Sequence, residues 1–327
     1  MLNSFAQPMK QILLVVLTVL NHHRACLKKL ASCLLLVALI CLPHNSYSKT
    51  LTISKITNNP SKHARKMQPF VDYLVSQLSD YGYTEGKLVF ARDPQQLAQY
   101  LRSEKVDMAS DTPFAYAKTH LYAPVEPIAV RWKNGIKQYN SVIIVRADSG
   151  ISTLLDLTGK TVAFEDNDST SGFALPTTAL LSKNIQLEKL YSPREKPSSA
   201  AVTGYIFSGS EQTTAAWVLK GLVDAGAVSS LEWYKAQNFL ASGAQELLAI
   251  YSSPPVPRTI EFVRSNLPAD VKQRIKEVLY EMHTHTRAQK IMARYQKTSL
   301  FEPLDKDAYT SLKAVENLAK ELASAGL

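Results

Sequence analysis

A chain of 327 residues, 46% hydrophobic and 20% charged, has an ordinary globular composition and enough length for two α/β lobes, which excludes a disordered or fibrous protein. The formal charge is +9, but residues 1–48 hold four basic residues and no acid, so the rest carries only +5, a mildly basic surface and not a nucleic-acid-binding stripe. Cys26, Cys33 and Cys41 all lie in that same segment, so the remainder has no disulfide framework, thiolate metal site or cysteine nucleophile.

In chain order, His22-His23-Arg24 and Lys28-Lys29 precede a 13-residue apolar run at 30–42, and Pro43 and Ser46-Tyr47-Ser48 follow. A charged start, a short apolar stretch and small residues at −3 and −1 read as a secretory signal peptide spanning 1–48, cleaved after Ser48 to leave Lys49 first. As a helix the run reaches about 20 Å, short of the roughly 30 Å hydrocarbon core of a bilayer. Two anchored readings rank below it. Cys41 as a lipidated cysteine is opposed by bulky Ile40, and the apolar stretch 11–20 would make 11–42 an uncleaved anchor or hairpin.

Beyond the leader, 51–56 reads as a strand, and 65–78 as a helix with Met67, Phe70, Val71, Leu74 and Leu78 at helical spacing. Residues 87–91 form a strand, 94–103 a helix opened by Asp93, 106–110 a strand and 112–118 a short helix. Strands are expected at 127–132, 139–146, 161–164, 186–190 and 223–228, with helices at 170–183, 212–220 and 230–237. Residues 247–251 are again extended, and from 269 onward the pattern is helical, at 269–282, 286–296 and 306–323. Strands separated by helices predict parallel βαβ units with covered sheets, whose ligands lie beyond the carboxyl ends of strands.

Four places there hold candidate residues. In Thr161-Val-Ala-Phe-Glu-Asp-Asn-Asp-Ser169-Thr170-Ser171-Gly172 a strand runs into three hydroxyl residues and a glycine, then into a helical pattern. Unpaired backbone N–H groups at such a start welcome an anion, and the hydroxyls add uncharged donors; a plain N-cap needs only one of them. Thr112 and Tyr116 lie four apart on one helix face, either aimed into a cleft or with Tyr116 as a half-buried aromatic. Phe207-Ser-Gly-Ser-Glu211 opens a helix leading to Asp224, a carboxylate in an apolar strand that meets either a ligand or a backbone donor at a strand edge. Lys62-His63-Arg65-Lys66 either faces an anion or is a solvated charge run.

No catalytic residue, metal site or cofactor is expected. His283 and His285 fall on different faces of a helical pattern, and the chain has no Walker loop, dinucleotide glycine fingerprint or nucleophile elbow.

Five motifs occur in order: 139–151 (Tyr-Asn-Ser-Val-Ile-Ile-Val-Arg-Ala-Asp-Ser-Gly-Ile), 155–164 (Leu-Asp-Leu-Thr-Gly-Lys-Thr-Val-Ala-Phe), Ser169-Thr-Ser-Gly172, Val223-Asp-Ala-Gly-Ala227 and Ser253-Pro-Pro-Val-Pro257. Together they resemble the phosphonate/phosphate-type, PhnD-like periplasmic solute-binding proteins of ABC transporters. That resemblance covers essentially the whole chain after the leader. It implies a two-lobed type II periplasmic-binding-protein fold with two crossover hinge strands, near 139–146 and 247–252. Lobe 1 would be 49–142 with 249–327, and lobe 2 would be 143–248. By match, Ser169, Thr170 and Ser171 would grip an oxyanion from lobe 2, Tyr116 would come from lobe 1, and Asp224 would join them.

One departure stands out: family members often read Gly-Ser-His where this chain reads Gly209-Ser210-Glu211. A carboxylate about 4 Å from an anion would cost roughly 4 kcal/mol at an effective dielectric of 20, about three decades of affinity. Glu211 therefore turns away, is protonated, or meets a cationic group on the ligand. The expected function is an exported, periplasmic, monomeric solute-binding protein that captures a small oxyanion (phosphonate, phosphate or phosphite) and passes it to an ABC permease, without enzymatic turnover or nucleic acid. The alternative is a sensing module of the same fold that feeds a membrane signalling partner.

Overall fold

Short polar residues start the helices. Asn59, Asp93, Thr112, Ser169, Ser210 and Asp305 each accept, through the side chain, a backbone N–H three residues on, which satisfies one of the donors a helix start leaves open. The computed structural model describes residues 48–239 and 246–327. The signal peptide expected at 1–48, the anchored readings and the three cysteines fall on residues 1–47, outside the described residues.

In chain order the elements are β1 (Lys49–Ile56), α1 (Pro60–Ser76), β2 (Tyr83–Ala91), α2 (Pro94–Arg102), β3 (Met108–Asp111), α3 (Pro113–Tyr122), β4 (Val125–Lys133), β5 (Gln138–Tyr139) and β6 (Ser141–Arg146). Then come β7 (Thr161–Phe164), a π-helical turn (Thr170–Ala174) continuing into α4 (Leu175–Leu181), β8 (Gln186–Lys189), β9 (Val202–Phe207), α5 (Glu211–Leu219), β10 (Ala225–Ser229) and α6 (Ser230–Phe239). The last part holds β11 (Leu247–Ser252), β12 (Val256–Pro257), β13 (Ile260–Arg264), α7 (Ala269–Glu281), α8 (Thr286–Arg294), β14 (Thr298–Glu302) and α9 (Lys306–Ser324).

Two six-stranded sheets result, one per lobe, in the orders β14-β4-β13-β3-β1-β2 and β11-β6-β10-β7-β9-β8. The chain crosses from the first to the second between β4 and β6 and returns between β11 and β13. At the crossing β5 and β12 pair antiparallel, Tyr139 opposite Val256. The sheets are mixed, where the sequence predicts parallel units. β1, β2 and β3 run parallel, as do β7, β8, β9 and β10, but β13 is antiparallel to β3 and β4, and β6 to β10 and β11. The reason is topological. A strand that arrives from the other lobe begins at the edge where strands leading into helices end, so it runs against them.

Four strands escape the sequence reading: β9, the two-residue β12, β13 and β14. In β9, Gly204 weakens the β-branched signal, yet a Cβ there would lie 2.5 Å from Leu190 Cδ1, so close packing on Leu190 accounts for the glycine. β14 follows Gln296 and Lys297, both at positive φ, which break the helical pattern expected to run through this region.

Lobe 1 packs α1 against the carboxy-terminal elements, with Phe70 stacked on Tyr295 at a 3.9 Å centroid separation. Beside them lies an ion pair sealed from solvent, Arg131 Nε donating to Glu261 Oε1 at 2.8 Å, while Ser110 and Tyr295 also donate to that carboxylate. Lobe 2 is built around Phe164, Phe173, Tyr205 and Phe207. Phe114 of α3 reaches across to meet Phe173 edge-on at 6.5 Å, so the lobes touch. Among the described residues no helix is long and apolar enough to cross a membrane.

Candidate anion-binding crevice

The strand ends of the two sheets face each other where the chain crosses. From lobe 1 come the ends of β1, β3 and β4 and the start of β13; from lobe 2 come the ends of β7, β9 and β10 and the start of β6. At the end of β7 the chain makes the hydroxyl turn. Ser169 Oγ accepts the Gly172 N–H at 2.9 Å and donates to Glu165 Oε2 at 2.7 Å, so this hydroxyl serves as the cap. A Cβ on Gly172 would sit 2.6 Å from Glu165 Cβ, which is why the turn needs glycine. Ser141 Oγ donates to the Ser171 carbonyl at 2.6 Å and ties the turn to the first residue of β6.

Thr170 and Ser171 are buried against lobe 1. Thr170 Oγ1 accepts the backbone N–H of Phe114 at 3.0 Å, so the start of α3 and the start of the turn point at one another. Thr112 caps α3 by accepting the Ala115 N–H at 3.4 Å, and its own N–H goes to Asp111 Oδ1. On the rim, Lys118 donates to Asp168 at 2.6 Å, a second link between the lobes.

Against Thr170 and Ser171 lies Tyr139, at the end of β5. Burial pushes its phenol up, while the charge of Arg258 and hydrogen bonds with Thr170 and Ser171 pull it down and Glu211 adds to the rise. The Arg258 guanidinium stacks 4.5 Å from the Tyr139 ring centroid, and its buried Nε has no hydrogen-bond partner. Lys133, the last residue of β4, has its amine pushed down to about 7 by burial, then by the charges of Arg258, Arg131 and Lys55. His63 is lowered by burial and then by the charges of Lys55, Lys62, Lys66 and Lys133. Of the basic run, Lys62, Arg65 and Lys66 are solvated, and His63 alone turns inward.

Two carboxylates complete the crevice. Glu165 is pushed up to about 7, first by burial and then by the charge of Glu211, with the Ser169 hydroxyl opposing. Glu211 is occupied: Oε1 accepts the Ser229 N–H and Oε2 the Ser229 hydroxyl at 3.1 Å, where β10 passes into α6. Of the three outcomes the sequence leaves for Glu211, the structure shows the side chain held on Ser229.

The structure brings together Thr112, Ser169, Thr170, Ser171 and Glu211, but not Tyr116 or Asp224. Tyr116 is 1% exposed, packs edge-on against Phe262, and donates its hydroxyl to Glu316 Oε1 of α9 at 3.2 Å. Burial, followed by the Glu316 charge, drives its pKa upward. It lines a groove of about 880 Å³ between α3 and α9, with its hydroxyl directed away from the hydroxyl turn. Asp224 precedes β10 and accepts the Thr161 N–H at 2.8 Å, at the amino end of β7, whereas the crevice lies at its carboxyl end. It is the strand-edge aspartate with a backbone donor.

Sequence reasoning missed Tyr139, Lys133 and Arg258. Lys133 directly follows the expected strand 127–132, and inspection of every strand end finds it. Arg258 directly follows the Ser253–Pro257 motif, but nothing local marks it as facing Tyr139. Among the described residues no group of three or more His, Cys, Asp or Glu is placed to hold a metal ion.

Comparisons with known proteins bear on the family and the fold. The family model described as "ABC transporter, phosphonate, periplasmic substrate-binding protein" matches residues 56–309. The phosphate-import protein PhnD of Mycolicibacterium smegmatis is 29% identical over 217 residues, which are 63% of this chain and 64% of that curated relative. A Xanthomonas citri protein solved bound to a chloride ion is 29% identical, with a TM-score of 0.78 over 84% of this chain and 99% of that one. The same protein has also been solved bound to ATP. A binding-protein component of an ABC phosphonate transporter from Pseudomonas aeruginosa is 23% identical, with a TM-score of 0.58 over 86% of this chain and 89% of that one, a likeness of fold. The likeness of fold places this chain in the type II periplasmic-binding-protein class.

Proposed function

The chain belongs to the periplasmic substrate-binding proteins of phosphonate ABC transporters, and from that membership we propose that it captures a small oxyanion of the phosphonate, phosphate or phosphite class between its lobes for an ABC importer. The observation that carries this reading is the convergence of uncharged donors from both lobes: the Phe114 N–H from α3, the Thr170 and Ser171 hydroxyls from the turn, and the Tyr139 phenol from the crossing. The lobes divide at the crossings, between β4 and β6 and between β11 and β13, so 141–142 and 249–252, assigned to lobe 1 by the sequence, belong with lobe 2. Residues 1–48 direct export to the periplasm, and the monomer presents its loaded form to a permease.

Binding in this scheme is capture by closure. Phe114 donates to Thr170, so two groups suited to an oxyanion, one from each lobe, meet at one point. An oxyanion entering the crevice takes the Phe114 N–H and frees the Thr170 hydroxyl to donate. Hydrogen bonds to a charged group contribute about 1.5–3 kcal/mol each, so a handful gives tight binding with no covalent step. Glu211 has its oxygens occupied by Ser229, although its charge is still felt at Tyr139 and Glu165. The anions named for relatives, phosphate in M. smegmatis and chloride and ATP in X. citri, are consistent with such a crevice.

Thermal unfolding of the purified protein with phosphate, phosphite, methylphosphonate and sulfate tests the reading. A melting temperature that climbs with the concentration of a phosphorus oxyanion is expected. No rise with any of them, at concentrations up to about 1,000-fold over a micromolar Kd, overturns it.

A further inference from the structure

Lys133 and Arg258 are cations whose counter-charge is missing. In lobe 1, Arg131 is matched by Glu261 at 2.8 Å and Lys55 by Asp111 at 3.6 Å. Among the described residues neither Lys133 nor Arg258 forms an ion pair, and Arg258 Nε is buried without a hydrogen-bond partner. His63 adds a second buried, unpartnered nitrogen, Nδ1, on the same side. These groups come from β4, from the segment between β12 and β13, and from α1, three elements meeting at one edge of the crevice.

Such a grouping opposes folding. Burying charge without a partner is costly, and like charges together add to the cost; the downward push on the Lys133 amine reports both. The acids nearby relieve it only in part: the Asp111 charge supports the Lys133 amine and Arg258 steadies Glu165, but each acid is already engaged. Asp111 is held by Lys55 and by the N–H groups of Ile56 and Thr112, Glu165 is bonded to Ser169, and Glu211 to Ser229. The uncharged donors of the hydroxyl turn already suffice for one oxyanion, so the cationic edge exceeds what a single-headed ligand requires. Arg258 joins the two regions: its charge is felt by Lys133 on one side and by Tyr139 and Glu165 on the other.

We infer that the solute carries a second anionic group, received by Lys133 and Arg258 while the hydroxyl turn holds the first, so that the preferred substrate is a two-headed anion of the diphosphate or phosphonocarboxylate type. This rests on the crevice being the solute site. The bound ligand then brings the charge that the edge lacks, and single-headed oxyanions bind in the same place but more weakly.

Calorimetric titration of the full protein with pyrophosphate and phosphonoacetate, set against phosphate and methylphosphonate, decides the matter. The two-headed probes are expected to bind at least about tenfold tighter, one charge-assisted hydrogen bond or more. In Lys133→Met and in Arg258→Gln the ratio of two-headed to single-headed affinity is expected to fall about tenfold. Equal affinities for both kinds of probe in the wild-type protein, a comparison that needs no variant to fold, overturn the inference and leave the oxyanion-binding role standing. A preference that survives in both variants also overturns it. Failure of every probe to bind removes both readings together.

Discussion

The backbone N–H of Phe114 donates to Thr170 Oγ1 at 3.0 Å, joining the first turn of a helix in one lobe to the hydroxyl turn of the other. Neither sequence segment needs this bond for its own structure, since Thr112 caps α3 and Ser169 caps the turn. Its place is at the junction, where an oxyanion would find both partners. Thr170→Val keeps the shape and removes the acceptor and the donor. Affinity for the preferred anion is expected to drop about ten- to a hundredfold, the loss of one hydrogen bond to charge, when measured by titration calorimetry. Unchanged affinity would place the anion elsewhere.

Glu165 gives the crevice a pH dependence of definite sign. Burial and the Glu211 charge raise its carboxyl to about 7 from an ordinary 4.5. Between those values the folded protein keeps a proton that the unfolded chain has lost, so stability declines as pH rises through this window and levels off above it. Glu165→Gln has no proton to lose. Melting curves from about pH 5 to about pH 8 should slope downward for the wild type and less so for this variant, which gains most at the alkaline end. Parallel profiles would mean that Glu165 titrates as a solvated acid.

What the sequence reveals here is local, and what it hides depends on distance. Asp93 announces α2 because a cap and its helix are neighbours, and Ser169 announces the turn for the same reason. Alternation of apolar runs located most strands, but not β9, where Gly204 answers to Leu190 across a loop. In the crevice, the hydroxyls of Thr170 and Ser171 were legible as residue types, whereas Tyr139 and Arg258 become meaningful only once residues more than a hundred positions apart meet at the crossing. Asp224 shows the opposite failure. Its motif is conspicuous, yet strand direction places it at the far edge of the sheet on the Thr161 N–H.

Lobe 1 depends on a charge pair that solvent does not reach. Glu261 and Arg131 are 0% and 1% exposed; Ser110 and Tyr295 donate to the carboxylate and Thr298 accepts from the guanidinium. Burial pushes the Glu261 carboxyl up and Arg131 pulls it back. Glu261→Gln strands the guanidinium, at a cost of about 3–5 kcal/mol in urea unfolding. Adding Arg131→Met to that variant should cost less than the two single changes combined, because the partners share one interaction. Additive losses would show that the two residues act separately.

Two tyrosines distinguish the crevice from the groove between α3 and α9. Tyr139 lies against Thr170 and Ser171 under Arg258, and Tyr116 gives its hydroxyl to Glu316 on α9. Removing the Tyr139 hydroxyl takes a donor from the anion, so Tyr139→Phe should weaken binding about tenfold or more. Tyr116→Phe breaks a bond within lobe 1, with an expected stability loss of about 1 kcal/mol and affinity held within about twofold. Titration and melting on the same two preparations provide the check. The reverse outcome, with Tyr116 controlling affinity and Tyr139 indifferent, would move the anion into the groove between α3 and α9, where Glu126 is paired with Lys272 and Lys276 and Glu316 with Lys313.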